Sequence, residues 1–306
     1  MRHFLSIKDV EKEDLLDILS QAELFKQQRP EFGRDFLQDK FVAILFEKPS
    51  TRTRVSFEVG INEMGGKSIF LSSFEVGLGK REAIKDVART LSRYVHLIVV
   101  RTFLHDSIRE LSNFSSVPVV NALTDYLHPC QALADVFTIK ERFGSLDKRT
   151  LCFIGDFNNV FRSLAFASAK FGMKMIYSTP KKYRPDDEFL SIVANTAKKN
   201  GFDNPLALIG NPAEAVRNAD IIYTDVWASM GQESEQTERK KAFVPYQIND
   251  KLLNEVRSDA VVMHCLPAHR GEEITDSVIE GPRSIVFDQA ENRLHVQKAV
   301  LNYVLR

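Results

Sequence analysis

Little cysteine, no excess of either charge and no long apolar run are the first features of this 306-residue chain, and each shortage excludes a class of protein. The three cysteines, Cys130, Cys152 and Cys265, form no CxxC pair and no zinc-ligand spacing. So few thiols point to a reducing, cytoplasmic setting rather than a disulfide-stapled secreted domain. Lys and Arg total 41, as do Asp and Glu, for a formal net charge of +0. That balance argues against a nucleic-acid binder, which carries a basic excess, but it permits a local arginine cluster for one anionic ligand. No stretch reaches the ~18 uncharged apolar residues of a membrane span. The N-terminus carries Lys8, Asp9, Glu11, Lys12, Glu13 and Asp14 where a signal peptide needs an apolar run. The GxGxxG fingerprint of a dinucleotide site and the glycines and lysine of a Walker loop are missing as well.

What is present suits a globular protein. At 44% hydrophobic and 27% charged residues, the chain can bury a core without a metal or disulfide staple. Its length suggests two domains. Brief apolar runs alternate with amphipathic stretches, which predicts α/β architecture with mainly parallel sheets flanked by helices. The strand candidates in the first half are 41–46, 96–100 and 117–120. In the second half they are 151–156, 173–178, 205–210, 221–226, 260–265 and 284–288. Helices are expected over 8–28, after Ser50, over 82–94, from His128-Pro129 onward, before Phe171-Gly172, and from Ala290 to Val304. The hydrophilic interval Phe143–Arg149 is the best domain boundary, giving domains 1–142 and 143–289, with the terminal helix 290–306 able to pack back on the first. Residues 228–247 are charge-dense without clear periodicity and read as a binding loop.

The residues with chemical potential cluster at strand-to-helix turns. Pro49-Ser50-Thr51-Arg52-Thr53-Arg54 places a capping serine, three hydroxyls and a planar guanidinium at a helix N-terminus, which suits a phosphate. A plain, well-capped helix start remains the other reading. Arg101 follows a strand, at the end where open α/β sheets bind ligands. His128, at a helix cap before Pro129, Cys130 and Gln131, can donate to a developing oxyanion, or simply cap the helix. Asn159, in the turn after 151–156, suits the polar end of a small metabolite, or turn geometry alone. Asp225, ending another strand before Ser229, Met230 and Gly231, can pair with a substrate ammonium group, or cap a turn. Cys265 reads either as a core thiol or as a pocket thiolate favoured by arginines. A metal site there is weak, because His264 and Cys265 are adjacent and alternate across a strand. Arg293 offers a further cation at the start of the last helix.

Taken together, FEKPSTRTR, HPCQALAD and the strand-end Arg101 resemble the carbamoyl-phosphate site of the aspartate/ornithine carbamoyltransferase family. Asp225 with SMG, and HCLP, resemble its ornithine branch. The resemblance spans essentially the whole chain. It implies two α/β domains joined by the HPCQ helix and the terminal helix, and a homotrimer with active sites at subunit contacts. It implies carbamoyl phosphate and L-ornithine as substrates, no cofactor and no metal. Residue by residue, Ser50, Thr51, Arg52, Thr53, Arg101, His128, Pro129, Cys130, Gln131, Cys265, Leu266 and Arg293 would hold carbamoyl phosphate. Asn159, Asp225, Ser229 and Met230 would hold L-ornithine, with Cys265 near the reacting amine. Arg52, Arg101, His128 and Cys265 would act in catalysis. Related enzymes acting on aspartate, putrescine or an acylated ornithine are the neighbouring alternatives, and Asp225 speaks against an aspartate site. One segment departs from the family pattern: Gly77, in Glu75–Lys80, stands where the family commonly carries a glutamine that reaches a neighbouring subunit's site.

Overall fold

The computed structural model describes residues 1–228 and 235–306. The described chain forms two compact units. The first comprises Met1–Phe137 and Glu291–Arg306, the second Thr138–Ala290.

In the first unit the strands are β1 (Phe41–Phe46), β2 (Lys67–Ser72), β3 (Leu97–Arg101) and β4 (Val119–Leu123). The helices are α1 (Lys12–Gln27), α2 (Thr51–Glu63), α3 (Ser73–Val76), α4 (Ile84–Tyr94) and α5 (His105–Phe114), followed by α6 (Pro129–Phe143), which runs on into the second unit. All strand pairs are parallel, in the order β2-β1-β3-β4. Every residue of β3 and β4 is buried, as are five of the six in β1, so both faces of the sheet are covered, which is what a parallel sheet requires. Ala43, Leu45, Ile98 and Val100 pack with Val87 and Ala88 of α4 and Ile108 and Leu111 of α5. Full burial of each large aliphatic side chain stabilises by about 1.5–3 kcal/mol.

The second unit contains β5 (Thr150–Ile154), β6 (Lys174–Ser178), β7 (Leu206–Leu208), β8 (Ile221–Thr224) and β9 (Val261–His264). Its helices are α7 (Asn159–Phe171), α8 (Asp187–Lys199), α9 (Pro212–Ala215), α10 (Gln236–Phe243), α11 (Asp250–Leu253) and α12 (Asp276–Ile279), and α13 (Val286–Leu305) begins here and ends in the first unit. This sheet is also parallel, ordered β7-β6-β5-β8-β9. Both chain crossings between units therefore fall inside helices. No helix among the described residues is long and apolar enough to cross a membrane.

Strand order positions the sites. In each sheet the order reverses beside its first strand, between β1 and β3 and between β5 and β8. Ligands of open α/β sheets bind at such switch points, beyond the carboxyl ends of the strands. Gly155 leaves β5 at φ 145°, where a Cβ would press within 3.4 Å of Thr224 Oγ1, so glycine lets these two strand ends approach.

Several local expectations are corrected. The segment 284–288 is not a strand. Ser284 makes one isolated bridge with Val262, and the Gln289 N–H already donates to the Ile285 carbonyl, so the run turns into α13, with Asp288 suiting the positive helix start. The final helix is accordingly longer than its periodicity indicates. The strand β2 was not anticipated, because as an edge strand it is only half-buried and lacks a strong apolar signal. Within 228–247 the structure forms α10, whose sole buried residues are Arg239 and Phe243, too few for a visible helical period.

Candidate active site

In the first unit the turn 49–54 forms a capped helix start. Ser50 caps α2, its Oγ accepting from the Thr53 N–H at 3.3 Å. The hydroxyl of Ser50 also lies 3.1 Å from Thr53 Oγ1. Thr53 is fully buried, Ser50 and Arg52 half-buried, and Thr51 exposed. The buried Nε of Arg52 has no hydrogen-bond partner among the described residues. Arg101, at the end of β3, is buried and donates through Nε to the Lys48 carbonyl at 3.1 Å, tying the β1 and β3 ends together. Arg293, far away in sequence, donates to Thr53 Oγ1 at 2.8 Å. Further along α13, Leu294 and Lys298 lie against Gly60 of α2, and Lys298 pairs with Glu63 at 3.0 Å.

His128 precedes α6 and is buried. Desolvation, reinforced by Arg293 and Arg101, holds its pKa well below the ordinary value, so the ring is neutral at pH 7. Gln131 lies in the first turn of α6 and donates to Asp135 Oδ1 at 2.8 Å, while its buried Oε1 has no partner among the described residues. Pro129 sits at the first helical position, where its missing N–H costs nothing. Cys130 points elsewhere: its Sγ reaches the Asn121 carbonyl at 3.4 Å, and burial pushes the thiol up to about 12. It is a core thiol, and Pro129 and Cys130 offer a ligand only the α6 backbone.

Gly77, where the sequence departs from the family pattern, follows α3 in the left-handed conformation, φ 51°, and a Cβ there would meet Arg81 Cβ at 3.1 Å. Backbone geometry thus favours glycine at this position.

In the second unit Asp225, just beyond β8, is the hub. Its Oδ2 accepts from Asn158 Nδ2 at 2.6 Å, and its Oδ1 from the Val226 N–H at 2.8 Å and Cys265 Sγ at 3.0 Å. Asp225 and Cys265 are thus brought together across 40 residues. Sequence reasoning singled out Asn159, which opens α7 and is half-buried. Its neighbour Asn158, which caps α7 through Oδ1 and holds Asp225 through Nδ2, was missed. The signal was present: an Asn directly before a helix is the favoured cap. Ser229 and Met230 lie outside the described residues.

Leu266 adopts φ 58°, a position that costs a leucine on the order of 1–2 kcal/mol. Its N–H donates to His264 Nδ1 at 2.9 Å, so His264 Nε2 carries the proton and donates to Glu273 Oε1 at 3.1 Å. The donor atoms of Asp225, His264 and Cys265 lie within 4.8 Å of one another, closer than strand alternation implies, because the chain leaves β9 at His264. Both imidazole nitrogens are already engaged, which leaves His264 no lone pair for a metal.

One parallel-sheet unit carries buried arginines beside a capped helix start and the other a carboxylate hub at its switch point, an arrangement that suits a transferase. Comparison with known proteins agrees. Residues 2–141 match the profile of the aspartate/ornithine carbamoyltransferase carbamoyl-P binding domain, and residues 147–304 that of the Asp/Orn binding domain. The chain belongs to the aspartate/ornithine carbamoyltransferase family. It is 51% identical over 302 residues to an ornithine carbamoyltransferase of Archaeoglobus fulgidus, covering 98% of this chain and 96% of that one. The structure of the Pyrococcus furiosus ornithine carbamoyltransferase superposes with a TM-score of 0.94 at 46% identity, covering 99% and 97%. An anabolic ornithine carbamoyltransferase from Campylobacter jejuni gives 0.93 at 36% identity, covering 99% of each chain.

Proposed function

We propose that this protein transfers the carbamoyl group of carbamoyl phosphate to the δ-amine of L-ornithine, yielding L-citrulline and phosphate. The observation that carries the reading is the Arg293 guanidinium bonded to Thr53 in the first turn of α2, in the same unit that buries Arg101 at the end of β3 and His128 at the start of α6. These groups, with Ser50, Thr51, Arg52 and the unpartnered Oε1 of Gln131, suit a phosphate bearing a carbamoyl amide. The carbamoyl-phosphate domain is residues 1–142 with 290–306, and the ornithine domain is residues 143–289. In the latter Asp225 pairs with the α-ammonium group, Asn159, Ser229 and Met230 bind the remaining amino-acid end, and Cys265 and the Leu266 backbone orient the reacting amine and carbamoyl group.

The neutral δ-amine attacks the carbonyl carbon, and the C–O bond to phosphate breaks. Negative charge grows on the carbonyl oxygen and then on the leaving phosphate. Arg52, Arg101, Thr53 and neutral His128 are donors preorganised for that charge. The amine's ordinary pKa is close to that of lysine, about 10.4, so cationic surroundings that lower it favour the attacking form. The departing phosphate takes the amine proton, which balances the reaction without a cofactor.

A biosynthetic role serving arginine formation belongs to the same proposal and is supported by the anabolic relative from Campylobacter jejuni, and the cytoplasmic setting by the low cysteine content, three in the whole chain. So does a homotrimer: Phe74 at 89% and Leu104 at 62% exposure in the first unit are apolar side chains that a subunit contact would cover. The test is one assay: purified protein and carbamoyl phosphate with ornithine, acetylornithine, putrescine or aspartate, measuring ureido product and phosphate together. Product with ornithine alone supports the reading, and product only with another amine refutes it. Sedimentation at three times the chain mass checks the trimer.

A further inference from the structure

The second unit holds a buried ion pair that the reaction does not use. Arg239, on α10, is 7% exposed, and Asp156, in the turn after β5, is 6% exposed. Arg239 Nη1 lies 2.9 Å from Asp156 Oδ2, and the same nitrogen donates to the Trp227 carbonyl at 3.1 Å. Its Nε pairs with Glu235 Oε2 at 2.9 Å, and the guanidinium carbon lies 4.8 Å from the centre of the Tyr183 ring. Phe243, one turn further along α10, stacks on Trp227 with ring centres 6.0 Å apart.

Asp156 and Trp227 belong to two different strand-end turns. The first turn carries Asn158, the second carries Asp225, and these two side chains meet at 2.6 Å. One guanidinium therefore cross-links the backbone supports of a contact only two residues away on either side. We infer that Arg239 is a positioning residue for the amino-acid half-site: by joining the Asp156 carboxylate to the Trp227 carbonyl it holds the β5 and β8 turns at the spacing that presents Asn158 and Asp225. The inference rests on the ornithine reading for its substrate, but its geometry does not.

The arrangement also separates two carboxylates. Asp156 is neutralised within the protein by Arg239, which leaves Asp225, bonded by neutral donors, as the carboxylate available to an ammonium group. Burial drives the Asp156 carboxyl above its ordinary range even beside Arg239, so without that partner it would be a poor buried anion. A lysine cannot replace the guanidinium, because it lacks the planar set of donors that serves Asp156, Trp227 and Glu235 together.

The test compares wild-type protein with Arg239→Lys, Arg239→Gln and the double variant Asp156→Asn/Arg239→Gln. Steady-state kinetics are combined with hydrogen–deuterium exchange of backbone amides in 155–160 and 225–228. The expected result is a KM for ornithine raised about tenfold or more, a KM for carbamoyl phosphate within about twofold, and faster exchange at both turns. Arg239→Lys should be partly impaired, and the double variant should recover stability but not ornithine KM. Should Arg239→Gln fail to fold, Arg239→Lys and the double variant carry the test. A lower melting temperature with unchanged ornithine KM and unchanged exchange would make Arg239 a structural ion pair only and overturn the inference, as would equal loss of both KM values. Wild-type protein that makes no ureido product from ornithine would refute the proposed function instead, and the exchange data would still decide the clamp.

Discussion

Replacing Asp225 by asparagine tests the carboxylate hub with a magnitude that follows from its hydrogen bonds. The carboxylate accepts on both oxygens, from Asn158 Nδ2 on one side and from Val226 N–H and Cys265 Sγ on the other. An amide has one accepting oxygen and one donating nitrogen. If its nitrogen faces Asn158, two donors oppose each other. Asn158 cannot turn over, because its Oδ1 already caps the Val160 and Phe161 N–H groups at 3.0 Å. If its nitrogen faces Val226, a donor meets the backbone N–H. Either orientation strands a buried pair, at a cost of about 1–3 kcal/mol in stability. Loss of the charge opposite the substrate ammonium costs about 1.5–3 kcal/mol more in binding, roughly a 10- to 150-fold rise in ornithine KM. The double variant Asn158→Asp/Asp225→Asn separates the two effects. The carboxylate it introduces before α7 can cap that helix as the native Asn158 does. Its second oxygen can accept from the new amide, whose own oxygen still serves Val226. Stability should return while ornithine KM stays high. The assays are urea denaturation and citrulline formation over a range of ornithine at saturating carbamoyl phosphate. Unchanged ornithine KM in Asp225→Asn would refute the assignment, and full kinetic recovery in the double variant would show that geometry, not the position of the charge, is what ornithine reads.

Three further outcomes follow. Arg52→Ala and Arg101→Ala should each lower turnover by about 10²–10³, the scale of losing a preorganised donor, while circular dichroism stays native, and near-normal citrulline formation by both would rule out their roles. Cys265→Ser keeps a donor towards Asp225 and should raise ornithine KM more than carbamoyl-phosphate KM; equal effects would count against its placement. Stability should also depend on pH on the acid side. Burial holds His128 well below its ordinary value and His295 at about 4, so both are neutral when folded but take protons near pH 6.5 when unfolded. A lowered folded pKa means that this stability is fully present above pH 6.5 and is lost as pH falls towards the folded value, by at most about 1.4 kcal/mol per pH unit for each histidine. His295→Gln should flatten the fall of the urea midpoint between pH 6.5 and 4, and an unaltered slope would contradict the assignment.

Much of this protein is written in local pattern. The run 41–46 forms β1 with the expected bounds, and five of its six apolar side chains are buried. Ser50 and His128-Pro129 mark helix starts through capping chemistry that acts within three residues. The candidate residues were legible as types at strand ends, since a guanidinium, an imidazole or a carboxylate at such a turn has a restricted set of uses. Signals failed where burial is partial or context is remote. The half-buried edge strand β2 and α10, which buries only Arg239 and Phe243, carry no strong period, and 284–288 has strand-like residues that only the proximity of β9 and the onset of α13 resolve. The meeting of groups lies beyond any local rule. That Arg293 reaches Thr53 across 240 residues, that Asp225 is held by Asn158 rather than Asn159, and that Arg239 spans two turns all depend on strand order. Each parallel sheet reverses its order beside its first strand, and that reversal, set by long-range pairing and covered faces, opens the place where distant side chains assemble.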